Sequence, residues 1–424
     1  MSLASPQPLT PEGGVKAFYV HGPYVLIFSE ASVDIWRAGG PHGPLEHIAT
    51  LAQPAMPYLL DPVFDTDRDL TIIANQASDD DVPSLLVFSL VDGRLIRKLE
   101  LYGIILSQDY RVPYADGKIL VNIEEDKERF PPHGLTKILL CDVVGDGGVL
   151  GSVNLPARLQ AREELRRNTN GGVLLPVHVQ PNGDIVATSS ESWSSKMEVL
   201  FWRGADIPKS PEPAASFTLE VGVEDGDQIY PTCSVPLDEK TFLLVVYEAD
   251  GNVLPMRSAC QTLIYAIDTE TMTIRWQAKP LGGLVHTIRY VAKLDVIVAF
   301  GKHDNGDGIQ RDRFEYVVVL DPATGSQRRM ETINHGVQVG PAYSGLSQDD
   351  CLVVIVFHDG PMCAVDLRHF LDHGFPREGE RLMVFRPQLG EERAYITDVA
   401  VTGQTVFISV DRGSESRSLY FTLP

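Results

Sequence analysis

The sequence predicts an all-β fold, a β-propeller of eight four-stranded blades with seven as the alternative count, on three observations. First, short apolar runs follow one another almost without interruption, separated by Gly, Pro, Asp and Asn turns. Second, one phrase recurs. Its fullest form is Tyr265-Ala-Ile-Asp268-Thr-Glu-Thr-Met-Thr-Ile-Arg-Trp276, and it returns as Val319-Leu-Asp321-Pro-Ala-Thr-Gly325. Third, the ends of the third strands, at Trp36, Ser89, Asp142, Trp202, Asp268, Asp321, Asp366 and Thr422, keep a beat near 50 residues, the spacing of propeller blades.

Taken in order, the first unit holds strands over 17–21, 24–29, 32–37 and 46–51, and the second over 58–64, 70–74, 84–90 and 95–101. The third has 104–112, 118–123, 137–142 and 149–153; the fourth 173–179, 185–188, 198–203 and 215–220. The fifth runs 229–235, 241–247, 262–268 and 273–278, and two more units cover 284–331 and 337–385. A last set, 395–401, 405–410 and 418–422, has three strands. Either residues 3–9 supply its fourth strand or that edge stays open, and two prolines argue against a strand there. Blades packed on both faces explain why these strands read as apolar runs instead of strict alternation.

Two stretches read as helices. Residues 157–168 combine a preceding Pro156, strong helix formers, and Gly171 and Gly172 beyond the end; 367–373 is shorter. The domain reading is an N-terminal tail over 1–14 and one propeller over 15–424.

The phrase at 266–276 resembles the tryptophan-docking repeat of quinoprotein-type propellers, A-x-D-x-x-T-G-x-x-x-W. Ala266, Asp268, Thr271 and Trp276 match, with Met272 in place of Gly; the next copy keeps Asp321, Thr324 and Gly325 and carries Arg329 for Trp. Trp36 and Trp202 are similar to the strand-end tryptophan of WD40 blades. Quinoprotein dehydrogenases would imply a quinone cofactor, calcium and an exported enzyme, but their vicinal cysteine pair and leader are absent, so only the fold carries over. The irregular blades also resemble propellers that follow an F-box in many fungal proteins, although no Leu/Pro-rich helical F-box precedes them here.

The formal charge of −21 argues against nucleic acid as a partner, since phosphate binding needs clustered Lys and Arg. Five cysteines, Cys141, Cys233, Cys260, Cys351 and Cys363, show no C-x-x-C spacing and read as reduced thiols. No apolar stretch approaches the roughly 18 residues of a membrane span, and no leader is evident. A cytoplasmic protein with no membrane partner is the expectation.

Catalytic signatures are absent: no G-x-S-x-G, H-E-x-x-H, Walker loop or G-x-G-x-x-G after a strand. Polar residues on the innermost strands are then the candidates: His21, Asp61, Asp109, Arg111, His178, Tyr230, His286, Arg289, Tyr343 and Asp398. Arg111, His178, Tyr230, His286 and Arg289 form the expected ligand set at the channel mouth, with Arg111 and His178 paired for an anion. His21, His178 and His286, from separate blades, would hold a divalent metal if the channel brings them together; the alternative is that they bond to backbone or channel water. Long polar loops between second and third strands, over 76–83, 124–136, 189–197, 248–260 and 302–313, share one face, the expected partner surface. Trp193, on such a loop, is the partner anchor or folds back onto its blade. Asp304-Asn-Gly-Asp307-Gly308 lacks the ligand alternation of a calcium loop and reads as a turn. Two functions follow: a scaffold binding a protein or small molecule, or a metal-assisted lyase, hydrolase or isomerase at the channel.

Overall fold

A computed structural model describes residues 7–8, 15–29, 32–39, 45–51, 61–76, 82–105, 112–124, 136–154, 156, 173–190, 196–207, 212–220, 228–249, 261–279, 283–303, 314–334, 341–357, 362–375, 395–402, 405–412 and 415–422. They form eight antiparallel sheets, one for each predicted unit. Blades 1 to 8 span 15–51, 63–100, 104–154, 173–220, 228–278, 284–334, 341–366 and 395–422.

Eight separate apolar clusters hold the ring, and each bridges two neighbouring blades. The second and third strands supply most of each cluster. Ser84–Ser89 is buried along its whole length, and Tyr24–Ser29 nearly so. This is the physical reason for the unbroken apolar runs: a strand between two blades has no solvent face. The smallest cluster, Val20, Val25, Ile27, Ala400 and Phe407, lies at the seam between blades 8 and 1. There Gln7–Pro8 pairs with Tyr420 and Leu419 as the fourth strand of blade 8, so the ring is closed by chain from its opposite end. The two prolines do not prevent this, because an outermost strand tolerates a missing N–H.

Blade 7 departs from the rule. Among the described residues it has three strands, and after Asp366 the chain turns into the helix α1, Leu367–His373, as the sequence predicts. The helix predicted over 157–168 lies outside the described residues.

The recurring phrase is a hydrogen-bonded turn. The Asp268 carboxylate accepts from the N–H groups of Glu270 and Thr271, and Asp321 from those of Ala323 and Thr324. Asp142 serves Val144 and Gly145 in the same way, and the Ser89 hydroxyl replaces a carboxylate for Val91 and Asp92. In blade 7 the same position, Asp366, accepts from His369 N–H and becomes the N-cap of α1. An Asx turn and an N-cap are one local geometry, so a single aspartate can start either. Arg275 and Arg328, each seven residues on, pair with the free oxygens of Asp268 and Asp321.

The fourth strand then docks onto the next blade's turn. Trp276 donates its indole N–H to Pro322 O at 2.9 Å and lies across Gly325, where a Cβ would meet the ring at 2.4 Å. At the equivalent ladder step stand Ala49, Arg97, Gly151 and Arg329. Each is matched in size by its neighbour. Ala49 faces Gly93, Arg97 lies over Gly147, and Gly151 leaves room for the Ile207 side chain. Arg329 donates to Leu371 O and Asp372 O at the end of α1, beside Gly374.

Candidate functional site

The inner strands carry a second repeat that the sequence does not announce. In blades 1, 5, 6, 7 and 8 the first strand bulges opposite the same step of the second, skipping Lys16, Thr232, His286, Ala342 and Thr397. A bulge leaves one residue out of the strand-to-strand ladder. The five stand at one level of the channel, on the side toward the loops between second and third strands, although Thr232 is midway along its strand and turns its hydroxyl back to Val245 O. Blade 4 bulges lower, skipping Val177 beside His178. In blade 3 the first strand is broken into Ile104–Ile105 and Tyr114–Ala115.

The structure does not bring the three histidines together. His286 is a bulge residue at the rim, exposed, with Nε2 3.2 Å from Ser344 Oγ in blade 7 and Nδ1 3.1 Å from Thr287 Oγ1. His21 ends its strand at the other end of the channel and stacks on Phe64 of blade 2 at 5.4 Å. His178 stacks on Phe242 of blade 5, centroids 4.7 Å apart and planes 9° apart. Among the described residues no three His, Cys, Asp or Glu side chains are grouped as metal ligands.

Arg289 sits near the far end of its strand and clasps the next blade. It donates to Ser347 O at 2.9 Å, Gln348 Oε1 at 2.8 Å and Asp350 Oδ1 at 2.6 Å. Tyr230 lies on the first strand of blade 5, paired with Tyr247. Arg111, Asp109, Trp193 and most of the five long loops lie outside the described residues. Tyr343 donates to Leu346 O in its own blade.

Sequence reasoning singled out Arg289 for the channel mouth but missed the other residues that staple the opposite face. There the turns between first and second strands place Asp69, Asp116, Asp295 and Asp350 at positive φ, between 45° and 58°. Aspartate tolerates this region because its short side chain bonds locally. Three of them also take a side chain from outside their blade. Tyr24 donates to Asp69 at 2.6 Å, Arg68 pairs with Asp116, and Arg289 holds Asp350. Burial, aided by the Asp69 carboxylate, pushes the Tyr24 phenol up to about 12. Asp65 shares this belt. Its burial opposes charge, but hydrogen bonds from Tyr114 and Arg68 prevail and hold its pKa below the usual carboxylate range. The only sequence signal for these residues is Asp at a hairpin turn, which is common to many loops.

His178 supplies a pH prediction. Burial pushes its pKa down from 6.5 to about 4. The fold therefore favours the neutral ring, and between those values the unfolded chain holds more protons. Stability from this group is complete above about pH 6.5 and is lost as pH falls to about 4. The urea midpoint of the native chain is expected to drop between pH 7 and pH 5, and His178→Gln to flatten that drop. An equal drop in both would assign the effect to other groups.

The described cysteines, Cys141, Cys233, Cys351 and Cys363, are free thiols. No described helix is long and apolar enough to cross a membrane.

Comparison with known proteins follows the architecture. No protein-family model matches the sequence, and no curated protein matches it. Solved structures do. The Dos1 propeller is 10% identical over 99% of this chain and 94% of its own, with a TM-score of 0.51. A prolyl endopeptidase is 10% identical over 95% of this chain but 55% of its own, also at 0.51. The C-terminal WD40 domain of Sif2 covers both chains completely at 11% identity, with a TM-score of 0.42. The likeness is one of fold. The chain is an eight-bladed β-propeller.

Proposed function

We propose that this propeller is a binding scaffold that captures a protein partner on the rim and on the face carrying the long loops between second and third strands. The observation that supports this reading is the shared bulge. Five blades turn a residue out of the ladder at the same step, on the side of those loops, and so build one rim from many units. The opposite face is differently employed. Arg289, Tyr24 and Arg68 there are occupied in holding blades together. Rigid blades carrying variable loops suit recognition, because the scaffold fixes loop ends while loop sequences select the partner.

Within that surface Arg111, Tyr230 and His286 are proposed to meet the partner at the rim, and Trp193 to anchor it from its loop. Trp193→Ala is expected to weaken capture of the partner by about 2 kcal/mol, roughly thirtyfold, the scale of an aromatic hot spot. The melting temperature should stay within a degree or two. Quantitative affinity capture with the native chain and the variant, run beside thermal unfolding, tests this. Unchanged capture would remove Trp193 from the surface, and a large fall in melting temperature would make it a core residue.

A further inference from the structure

Exposed apolar side chains are not spread evenly around the ring. Of the eight large ones among the described residues, seven lie between Val82 and Leu150, on blades 2 and 3 and the connection between them. Large apolar groups gathered on one part of a surface mark an interaction site more often than scattered ones do. They centre on the fourth strand of blade 2, Leu95–Glu100, which ends its sheet among the described residues. One edge of this strand pairs with Ser84–Ser89. The ladder runs one step further, because Leu101 N–H donates to Pro83 O.

The strand's two faces differ. Leu99 packs into the core shared with blade 3, and Arg97 reaches Gly145 O of that blade at 2.9 Å. Lys98 and Glu100 occupy the other face and are exposed; Ile96, also exposed, is skipped by a bulge between Leu95 and Arg97, and Tyr102, at 84% exposure, stands just beyond the strand's end. Lys98 and Glu100 pair at 3.1 Å, but their side chains remain 48% and 62% exposed. The fourth strand of blade 6, Gln327–Asn334, shows no such series: its exposed positions are Gln327, Arg328 and Thr332.

We propose that this edge pairs with the same edge of a second copy of the chain, antiparallel, about a two-fold axis passing through Leu99. Directly opposed residues in a pleated sheet share a face, so a symmetric pairing must be centred on a residue. Centring on Lys98 sets lysine against lysine, and centring on Glu100 sets glutamate against glutamate. Centring on Leu99 sets Lys98 against Glu100 of the second copy, a pair made twice, within the regular part of the strand between Arg97 and Leu101. Opposite charges set directly across from one another stabilise a pair of strands. Main-chain hydrogen bonds along the joined edges would add to them, as in strand addition generally.

Each copy carries a formal charge of −21, which opposes association at long range. Dimerisation should therefore strengthen as salt rises to physiological strength, because screening removes that repulsion. The joined edges lie on the circumference of the ring, so both copies keep their loop faces open. The dimer is then a bivalent platform.

Sedimentation equilibrium and native mass spectrometry of the full chain test the pairing. Native chain is expected to dimerise. Lys98→Glu, which sets glutamate against glutamate twice, should weaken the dimer by about tenfold. The exchange Lys98→Glu with Glu100→Lys should restore it to within about threefold, because the same pairs form with signs reversed. All these side chains are exposed, so circular dichroism should show unchanged folding. A monomer at all concentrations up to about 100 μM, near the weak end of specific association, would overturn the proposal. So would a dimer indifferent to Lys98→Glu, or one that the charge exchange fails to restore.

Discussion

Replacing Trp276 by alanine is expected to destabilise the propeller by about 4 kcal/mol, the range for truncating a buried tryptophan. Its side chain is 9% exposed and belongs to the cluster between blades 5 and 6. It also makes the one indole hydrogen bond to the next blade's turn, at Pro322 O. Truncation would open a cavity beside Gly325 that the turn cannot fill, because this glycine sits at φ 68° with no side chain. Gly325→Val should produce a comparable loss from the other side, since its Cβ would press the indole and the branched residue would be strained at positive φ. Trp276→Ala removes the ring that Gly325→Val would press, and the added side chain partly fills the cavity, so the double variant should lose less than the sum. Urea unfolding of the four proteins measures this. A loss below about 1 kcal/mol in Trp276→Ala would be below the range for any buried large side chain, and the docking contact would not be what joins these blades.

Arg289→Met should cost about 3 kcal/mol, the range for losing one partner of a partly buried, hydrogen-bonded charge pair. The arginine side chain is 17% exposed and that of Asp350 30%, so water does not fully replace the lost bonds. The change also takes the guanidinium donor from Gln348 Oε1, while Ser347 O keeps the Asp350 N–H. Asp350→Asn keeps an acceptor in the same turn and should cost about 1 kcal/mol, as for a hydrogen bond that loses its charge. A double-mutant cycle between the two residues should show coupling of at least about 1 kcal/mol. Additive losses would mean that Arg289 acts through separate contacts, not through the ion pair. Ligand binding at the rim should be unaffected, because Arg289 lies toward the opposite end of its strand.

Arg289 illustrates how far the sequence could be read. It was recognisable as a polar residue on an innermost strand, but the height of a residue along the channel depends on where its strand begins and where it bulges. The same uncertainty affected the histidines. His21, His178 and His286 all fall on first strands, yet one is at a strand end, one beside a low bulge and one in the rim. Bulges have no strong local signature, so nothing in the chain marked which histidine would reach the rim. The strand ends were easier. They coincide with Asp or Ser at Ser89, Asp142, Asp268 and Asp366 because those side chains close the turn by hydrogen bonds to nearby N–H groups, a purely local requirement.

Docking lies between these cases. Trp276 matches a recurring motif, whereas Arg329 and Met272 look like its decay. The structure shows a different logic. Arg329 serves a helix that, among the described residues, only blade 7 possesses, and its guanidinium takes the carbonyls at the helix end. Met272 adopts the positive φ of the glycine it replaces, 51°, and packs on the core shared by blades 4 and 5, as does the small Ala215.

The sequence by itself determined the propeller and the helix α1, and narrowed the blade count to eight or seven. Each follows from short-range rules of apolar runs, turn-forming aspartates and capping, which repeat at every unit. Only the tertiary structure decided how the ring closes, which residue each docking position must match, where the inner strands bulge, and that one flank of blade 2 is left apolar and open. These depend on residues more than 40 positions apart, as Trp276 and Pro322 are. Their contact is set by the packing of one blade on another, which no local pattern encodes.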